Sequence, residues 1–296
     1  MSHKWDMTST YFLTVQVGSS YSDMKRLRIL SANPAVGDGA TVYGDFLLTG
    51  DAKEYIAFIA PNTQNKFYAA LIDEGGTYTI TTFTSSDRSI DFNRPVALRA
   101  QIDERLVSLQ SFSYCFEDEM PQPGDYDYND VVLRVSHERT AQNQIILNVT
   151  LAAVGSLSQV AAAIRLVDYK YNDIASVTTV DDESFDKGYR KSAIPYIESN
   201  DLLACGSDSA AVINVFEDAH WATGVVAYTS EGYIPRYKYN VSKTTSEEHD
   251  MMSPRTVSFI ITFKNPLLLN YFTFESLDPF AIVQYNGVYM ENHAVY

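Results

Sequence analysis

The sequence predicts an all-β protein built from two antiparallel, jelly-roll-like β-sandwich units with few helices. Three observations point there. Short runs of residues alternate apolar and polar, the period of a strand with one buried face. Gly, Pro, Asn and Asp clusters punctuate those runs at short intervals. No stretch carries the i, i+3, i+4 pattern of a strong amphipathic helix. Many short strands with turn signals between them are the pattern of sandwich architectures.

Taken in order, residues 1 to about 9 read as a loose tail. In YFLTVQV, Tyr11, Leu13, Val15 and Val17 alternate with Phe12, Thr14 and Gln16. In RLRIL, Leu27 and Ile29 share a face. NPAVGDGATVYGD, with Pro34, Gly37, Gly39 and Gly44, reads as a turn-rich connector. Strands are expected over 55–60, 66–73 and 77–83, with Glu74, Gly75 and Gly76 as a hairpin turn between the last two. Alternation lapses over 85–95, and 96–110 fits a strand pair or a short helix. A boundary near residue 112 divides an N-terminal unit, 1–112, from a second unit, 113–296.

The second unit is cleaner. Val131, Leu133 and Val135 share one face of VVLRV. Ile145, Leu147, Val149, Leu151 and Ala153 share one face of QIILNVTLAA. One wet and one dry face is the habit of antiparallel sheets. VAAAIRLV passes for helix by composition, but Val160, Ala162, Ile164 and Leu166 alternate, so it reads as strand. The acidic stretch 168–208 reads as an insertion or loop. AAVINVF returns to strand, and TVSFIITF is a strand with Val257, Phe259, Ile261 and Phe263 inward.

Bulk properties narrow the function. A formal net charge of -15, with no basic run, repels DNA, RNA and anionic lipid, so no nucleic-acid partner is expected. The two cysteines, Cys115 and Cys205, are too few for a disulfide framework and read as buried small hydrophobes, with pairing between them left open. No apolar run approaches the ~20 residues of a membrane span. MSHKWDMTST lacks the apolar core of a signal peptide. An export signal can lie outside this chain, so its absence here is weak evidence for the cytoplasm.

The densest chemistry is FEDEMPQPGDYDYNDVVLRV, Phe116 to Val135. Calcium takes six to eight oxygen ligands. In extended chain, Asp125, Asp127 and Asn129 would share a face, with Tyr126 and Tyr128 opposite. Asp130 then joins the tyrosines unless the backbone kinks. Glu117 and Asp118, at the preceding strand end, would close the site if Pro121 to Gly124 fold back. The pattern fails the EF-hand loop, which wants Gly where Asp130 stands and Glu where Ser136 stands. Asp and Asn are also ordinary turn residues, so on the residues alone a metal site and a metal-free turn both stand. A catalytic acid pair is disfavoured, because glycosidase carboxylates come from separate strands flanking a substrate.

These residues carry a resemblance. Phe116, Glu117 and Asp118 followed by GDYDYNDVVLRV resemble the hallmark of the LruC-domain family of bacterial exported proteins. NVFEDAH at 214–220, ITFKNP at 261–266, LDPFAIV at 277–283 and ENH at 291–293 resemble its later pieces. KFYAALIDEGGTYTITTF resembles the strand pair that often precedes the domain. The sequence departs at the close, where Glu291 and His293 run into AVY instead of a longer His-Leu-Pro tail. The resemblance implies an exported or surface-attached β-sandwich protein, often a lipoprotein. It implies calcium on Asp125, Asp127, Asn129 and Asp130, with Glu117 and Asp118 as companions.

Other candidates are weaker. Glu217, Asp218 and His220 fit a second cation or zinc site, but a polar strand end with a satisfied histidine explains them better. Trp221, Tyr233, Tyr237 and Tyr239 would suit a sugar-stacking platform if exposed. Phosphate loops and nucleophile motifs are absent. The sequence therefore points to a non-enzymatic exported or cell-surface protein with a structural calcium site, serving adhesion or interaction with a surface glycan or protein. A glycan-binding module is the alternative, and a glycoside hydrolase the more remote one.

Overall fold

A computed structural model of the chain describes residues 7–36, 39–92, 100–101, 105, 107–119, 127–183, 185, 201–224, 238–241, 253–285 and 288–294. The chain divides into two compact units. Unit 1 comprises Met1–Gln110, His137–Ile145 and Asn265–Phe274; unit 2 comprises Ser111–Ser136, Ile146–Lys264 and Glu275–Tyr296.

Nine strands begin the chain: β1 (Thr8–Gln16), β2 (Met24–Leu30), β3 (Ala40–Leu47), β4 (Lys53–Pro61), β5 (Lys66–Asp73), β6 (Thr77–Thr84), β7 (Ser89–Asp91), β8 (Ala100–Gln101) and β9 (Val107–Leu109). They form a three-stranded sheet, β4-β1-β7, and a six-stranded sheet, β8-β6-β5-β2-β3-β9. Val15, Leu27, Ile29, Phe58, Phe67, Ala69 and Leu71 are buried together, so the main core of unit 1 draws on both sheets. Phe58 and Phe67 meet edge to face, with ring centroids 5.4 Å apart. Leu30, Val42, Ala70, Ile72 and Tyr78 form a second, smaller cluster.

Ten further strands follow: β10 (Ser111–Phe116), β11 (Val131–Ala141), β12 (Gln144–Val154), β13 (Val160–Lys170), β14 (Ile174–Thr179), β15 (Leu203–Cys205), β16 (Ala210–Phe216), β17 (Arg255–Phe263), β18 (Leu277–Tyr285) and β19 (Val288–His293). They make two five-stranded sheets, β10-β11-β12-β17-β14 and β15-β16-β13-β18-β19. The alternation expected of β11, β12 and β17 is present: Val131, Leu133, Val135, Leu147, Val149, Leu151, Val257, Phe259, Ile261 and Phe263 are all buried. β13 runs down the middle of its sheet, and both faces of its first half are buried, which explains a strand with helix-like composition. The one α-helix among the described residues, α1, is a single turn, Ala219–Ala222.

The all-β class holds, but the expected pair of jelly-roll sandwiches does not. The strands fall into four small sheets, the count of blades in a four-bladed β-propeller. Nor is the pairing purely antiparallel, since β1 pairs with β7, and β3 with β9, in parallel. The physical reason lies in what alternation encodes. It says which face of a strand is buried, not which strand is its neighbour, and partner choice depends on turns and connections.

Smaller corrections follow from the same limit. The expected connector at 33–45 contains β3, whose Gly44 is needed because a Cβ there would meet the Phe46 ring at 2.5 Å. The weak stretch at 96–110 supplies two short strands, β8 and β9, among its described residues. The expected loop at 168–208 contains β14, which pairs with β17, and β15, which pairs with β16. Cys115 and Cys205 are exposed free thiols, not buried hydrophobes, because each points to the face opposite its buried neighbour, Phe116 or Ala204.

Candidate metal centre

β10 and β11 pair antiparallel, and the last pair of the ladder is Phe116 with Val131. One residue further out, Glu117 and Asp130 stand across from each other. Register thus joins carboxylates that are far apart in sequence. The backbone closes the ladder there, with Asp130 N donating to Phe116 O at 3.1 Å. Asp118 N donates to Asp130 Oδ2 at 2.7 Å. One carboxylate oxygen of Asp130 is therefore committed to holding the turn.

The kink that brings Asp130 inward is visible two residues earlier. Tyr128 has φ of 51°, the left-handed region that non-glycine residues seldom occupy. In an uninterrupted extended strand, Asp130 would lie with Tyr126 and Tyr128. With the turn at Tyr128, Asp130 is only 9% exposed while Tyr128 stays in solvent.

Glu117, Asp118 and Asp130 each offer a carboxylate oxygen, and these oxygens lie within 4.8 Å of one another. Glu117 is 2% exposed, and its Oε2 is buried with no hydrogen-bond partner. Burial pushes the Asp130 carboxyl well above the usual carboxylate range. The Asp118 amide opposes this, while the charge of Asp118, a side-chain hydrogen bond with Glu117 and the charge of Glu117 push it further up. Three acids in one partly buried pocket, one with an orphaned oxygen, make a donor set that fits a hard divalent cation.

A rigid surround holds this group. Ser156 Oγ donates to Asp118 Oδ2. The amides of Gly155 and Ser156 donate to Asp130 O at 3.0 and 3.3 Å. Asn292 Nδ2, on β19, donates to Glu117 O at 2.7 Å. Gly155 permits a close approach, because a Cβ at that position would lie 2.0 Å from Asn129 Oδ1.

The expected ligands divide. Glu117, Asp118 and Asp130 come together. Asp127 and Asn129 bond to each other, Asn129 Nδ2 donating to Asp127 Oδ2 at 2.5 Å, and Asp127 is not one of the three grouped carboxylates. Asp125 lies outside the described residues. Glu117 and Asp118 were expected only as companions, yet they supply two of the three acids. The legible signal was the strand on each side, whose register sets Glu117 opposite Asp130.

In the second acidic cluster, Asp218 and His220 are held by local partners. Asp218 Oδ1 accepts from His220 N at 2.9 Å and caps α1. His220 Nδ1 lies 3.2 Å from Asp218 Oδ1, and Nε2 lies 2.9 Å from Ser156 O. Both ring nitrogens are occupied by acceptors, so the imidazole is not presented to a metal. The aromatic platform also fails where it is described. Trp221 and Tyr239 are buried, because α1 tucks Trp221 inward and Tyr239 bridges to Val154. Tyr233 and Tyr237 lie outside the described residues.

No family model matches the chain, and no curated protein matches it. Among solved structures, a crystal structure titled as a putative lipoprotein from Bacteroides ovatus is similar, with a TM-score of 0.49 and 14% identity, over 91% of this chain and 78% of that one. A likeness that distant transfers no role. The LruC-domain resemblance rests on the residues quoted for it above. No helix among the described residues is long and apolar enough to cross a membrane.

Proposed function

We propose that the chain is an exported, non-enzymatic interaction protein in which a calcium ion, held by Glu117, Asp118 and Asp130, fastens the turn between β10 and β11. The observation that carries the reading is the orphaned Glu117 Oε2, buried beside two more carboxylates. Left bare, that group has to hold back a charge in a partly desolvated pocket. A calcium ion removes the repulsion and satisfies the oxygen. Mass action then makes the folded chain more stable wherever calcium is abundant, as it is outside cells. Export rests on that argument and on the LruC-domain resemblance.

The test is thermal unfolding with millimolar calcium, with a chelator, and with magnesium at the same concentration. Calcium should raise the melting temperature and the chelator lower it. Magnesium, which demands near-octahedral geometry and keeps its waters, should do less. Identical curves in all three conditions count against a calcium site.

The partner is a protein or a surface glycan, with nucleic acid disfavoured by the charge of -15. The glycan alternative has one specific observation behind it. Phe12 and Tyr271 in unit 1 are 56% and 54% exposed, and their ring centroids are 6.1 Å apart. Exposed ring pairs suit stacking on a sugar face. Binding on a glycan array that disappears in Phe12→Ala would favour that alternative; an empty array with folded protein would leave the protein partner.

A further inference from the structure

Unit 1 holds an acidic feature of its own, separate from the two acidic clusters described above. A cavity of about 140 Å³ opens between the Val17–Met24 segment and the β3–β4 turn. Val17, Tyr21, Met24 and Leu48 supply apolar walls, and Asp51 and Glu54 supply carboxylates. Its volume is close to that of a roughly 150 Å³ protein cavity known to take benzene, so about six heavy atoms fit.

Glu54 is 8% exposed, and the turn uses only one of its oxygens. Oε1 accepts from Thr49 N at 2.7 Å and from Thr49 Oγ1 at 2.8 Å. The same hydroxyl lies 3.0 Å from Asp51 Oδ2. A hydroxyl has one hydrogen to give, so the two carboxylates share it. Among the described residues, neither acid has a Lys, Arg or His nitrogen within ion-pair distance. The charge of Glu54 reaches the Arg139 guanidinium only at longer range. Glu54 Oε2 takes no hydrogen bond from a described residue and is not sealed away.

We infer that this cavity binds a small primary alkylammonium molecule of about four to six carbons. The ammonium brings three donors and one positive charge to Glu54 Oε2, which takes no hydrogen bond from a described residue, and to Asp51, which has only a share of the Thr49 hydroxyl. The methylenes lie along Met24, Leu48 and Tyr21, where water is poorly held. A neutral alcohol of the same length matches the walls but not the charge, and a carboxylate is repelled.

The experiment is an amide NMR titration of the full chain with n-pentylammonium, n-pentanol and pentanoate, at neutral pH and low salt. Saturable shifts at Gly50, Asp51 and Glu54 are expected with the amine, at a millimolar dissociation constant. Pentanol should bind at least about tenfold more weakly, a difference of about 1.4 kcal/mol, and pentanoate not at all. Glu54→Gln keeps an oxygen for Thr49 and should weaken the amine by about tenfold or more. Circular dichroism checks its fold, and the exposed Asp51→Asn, with a smaller loss, serves if it does not fold. Equal binding of amine and alcohol, unchanged amine binding in a folded Glu54→Gln, or no saturation with the amine each overturns the inference.

Discussion

His293 Nδ1 lies 2.7 Å from Asp278 Oδ2, and the ring's Nε2 lies 3.2 Å from Glu291 Oε2. Asp278 is buried on β18, and His293 is the last residue of β19, so the imidazole ties an edge strand to its neighbour. Arg165, opposite Asp278 on β13, pairs with Glu291. The hydrogen bond to Asp278 is the main reason His293 titrates high, at about 9, with the bond to Glu291 next. Burial and Arg165 act against them.

The sign follows from linkage. A histidine whose folded pKa lies above its unfolded value, near 6.5, stabilises fully below 6.5 and loses that contribution as pH rises through about 9. The melting temperature should therefore fall between pH 6.5 and 9, and His293→Gln should flatten that part of the profile. His137, buried against Phe272 and Phe274, titrates low, at about 4, because burial disfavours its charge. Its effect appears only below pH 6.5, where it opposes folding. Asp130, whose carboxyl is pushed up to about 8, also lowers stability as pH rises to that value, so the difference between the parent and His293→Gln reports His293. A profile that rises toward pH 9, or one unchanged in His293→Gln, contradicts the latch.

Gly155 supports the metal centre by its lack of a side chain. Its Cβ, if present, would meet Asn129 Oδ1 at 2.0 Å and the Asn129 carbonyl oxygen at 2.7 Å. Backbone cannot move aside as a long side chain can. Gly155→Ala should cost about 1–3 kcal/mol, the range of overpacking, seen as a lower urea midpoint. A variant as stable as the parent would show that the β11 entry is loose.

Phe58 lies at the centre of the unit 1 core. Its ring sits 5.3 Å from Tyr11, 5.4 Å from Phe67 and 6.2 Å from Phe83. Phe58→Ala removes all three contacts and leaves a cavity, so a loss of about 3–5 kcal/mol is expected by denaturant titration. Phe12→Ala, on an exposed position of the neighbouring strand, should stay within about 0.5 kcal/mol. Similar losses at the two positions would contradict the assignment of inward and outward faces.

What could be read in the sequence, and what could not, follows one physical divide. Faces were legible: the alternation of β11, β12 and β17 named their buried residues, because burial follows from the period of two. Neighbours were not. Nothing local says that β1 takes β7 in parallel, or that the strands gather into four sheets. β3 was hidden by Gly44, which reads as a turn residue until Phe46 is seen to need the space. The candidate site shows the same divide. Its acids stood out by density, but extended-chain geometry grouped Asp125, Asp127 and Asn129. The left-handed Tyr128 takes Asp130 off the tyrosine face, and it stands beside Glu117 and Asp118.

The most direct test of the account is diffraction from crystals grown in calcium, with anomalous data to place the ion. The account predicts one calcium ion bound by oxygens of Glu117, Asp118 and Asp130 at about 2.3–2.6 Å, and its loss in crystals of Asp130→Asn. Calcium-grown crystals with no ion among those three carboxylates, or an ion retained unchanged in Asp130→Asn, would contradict it.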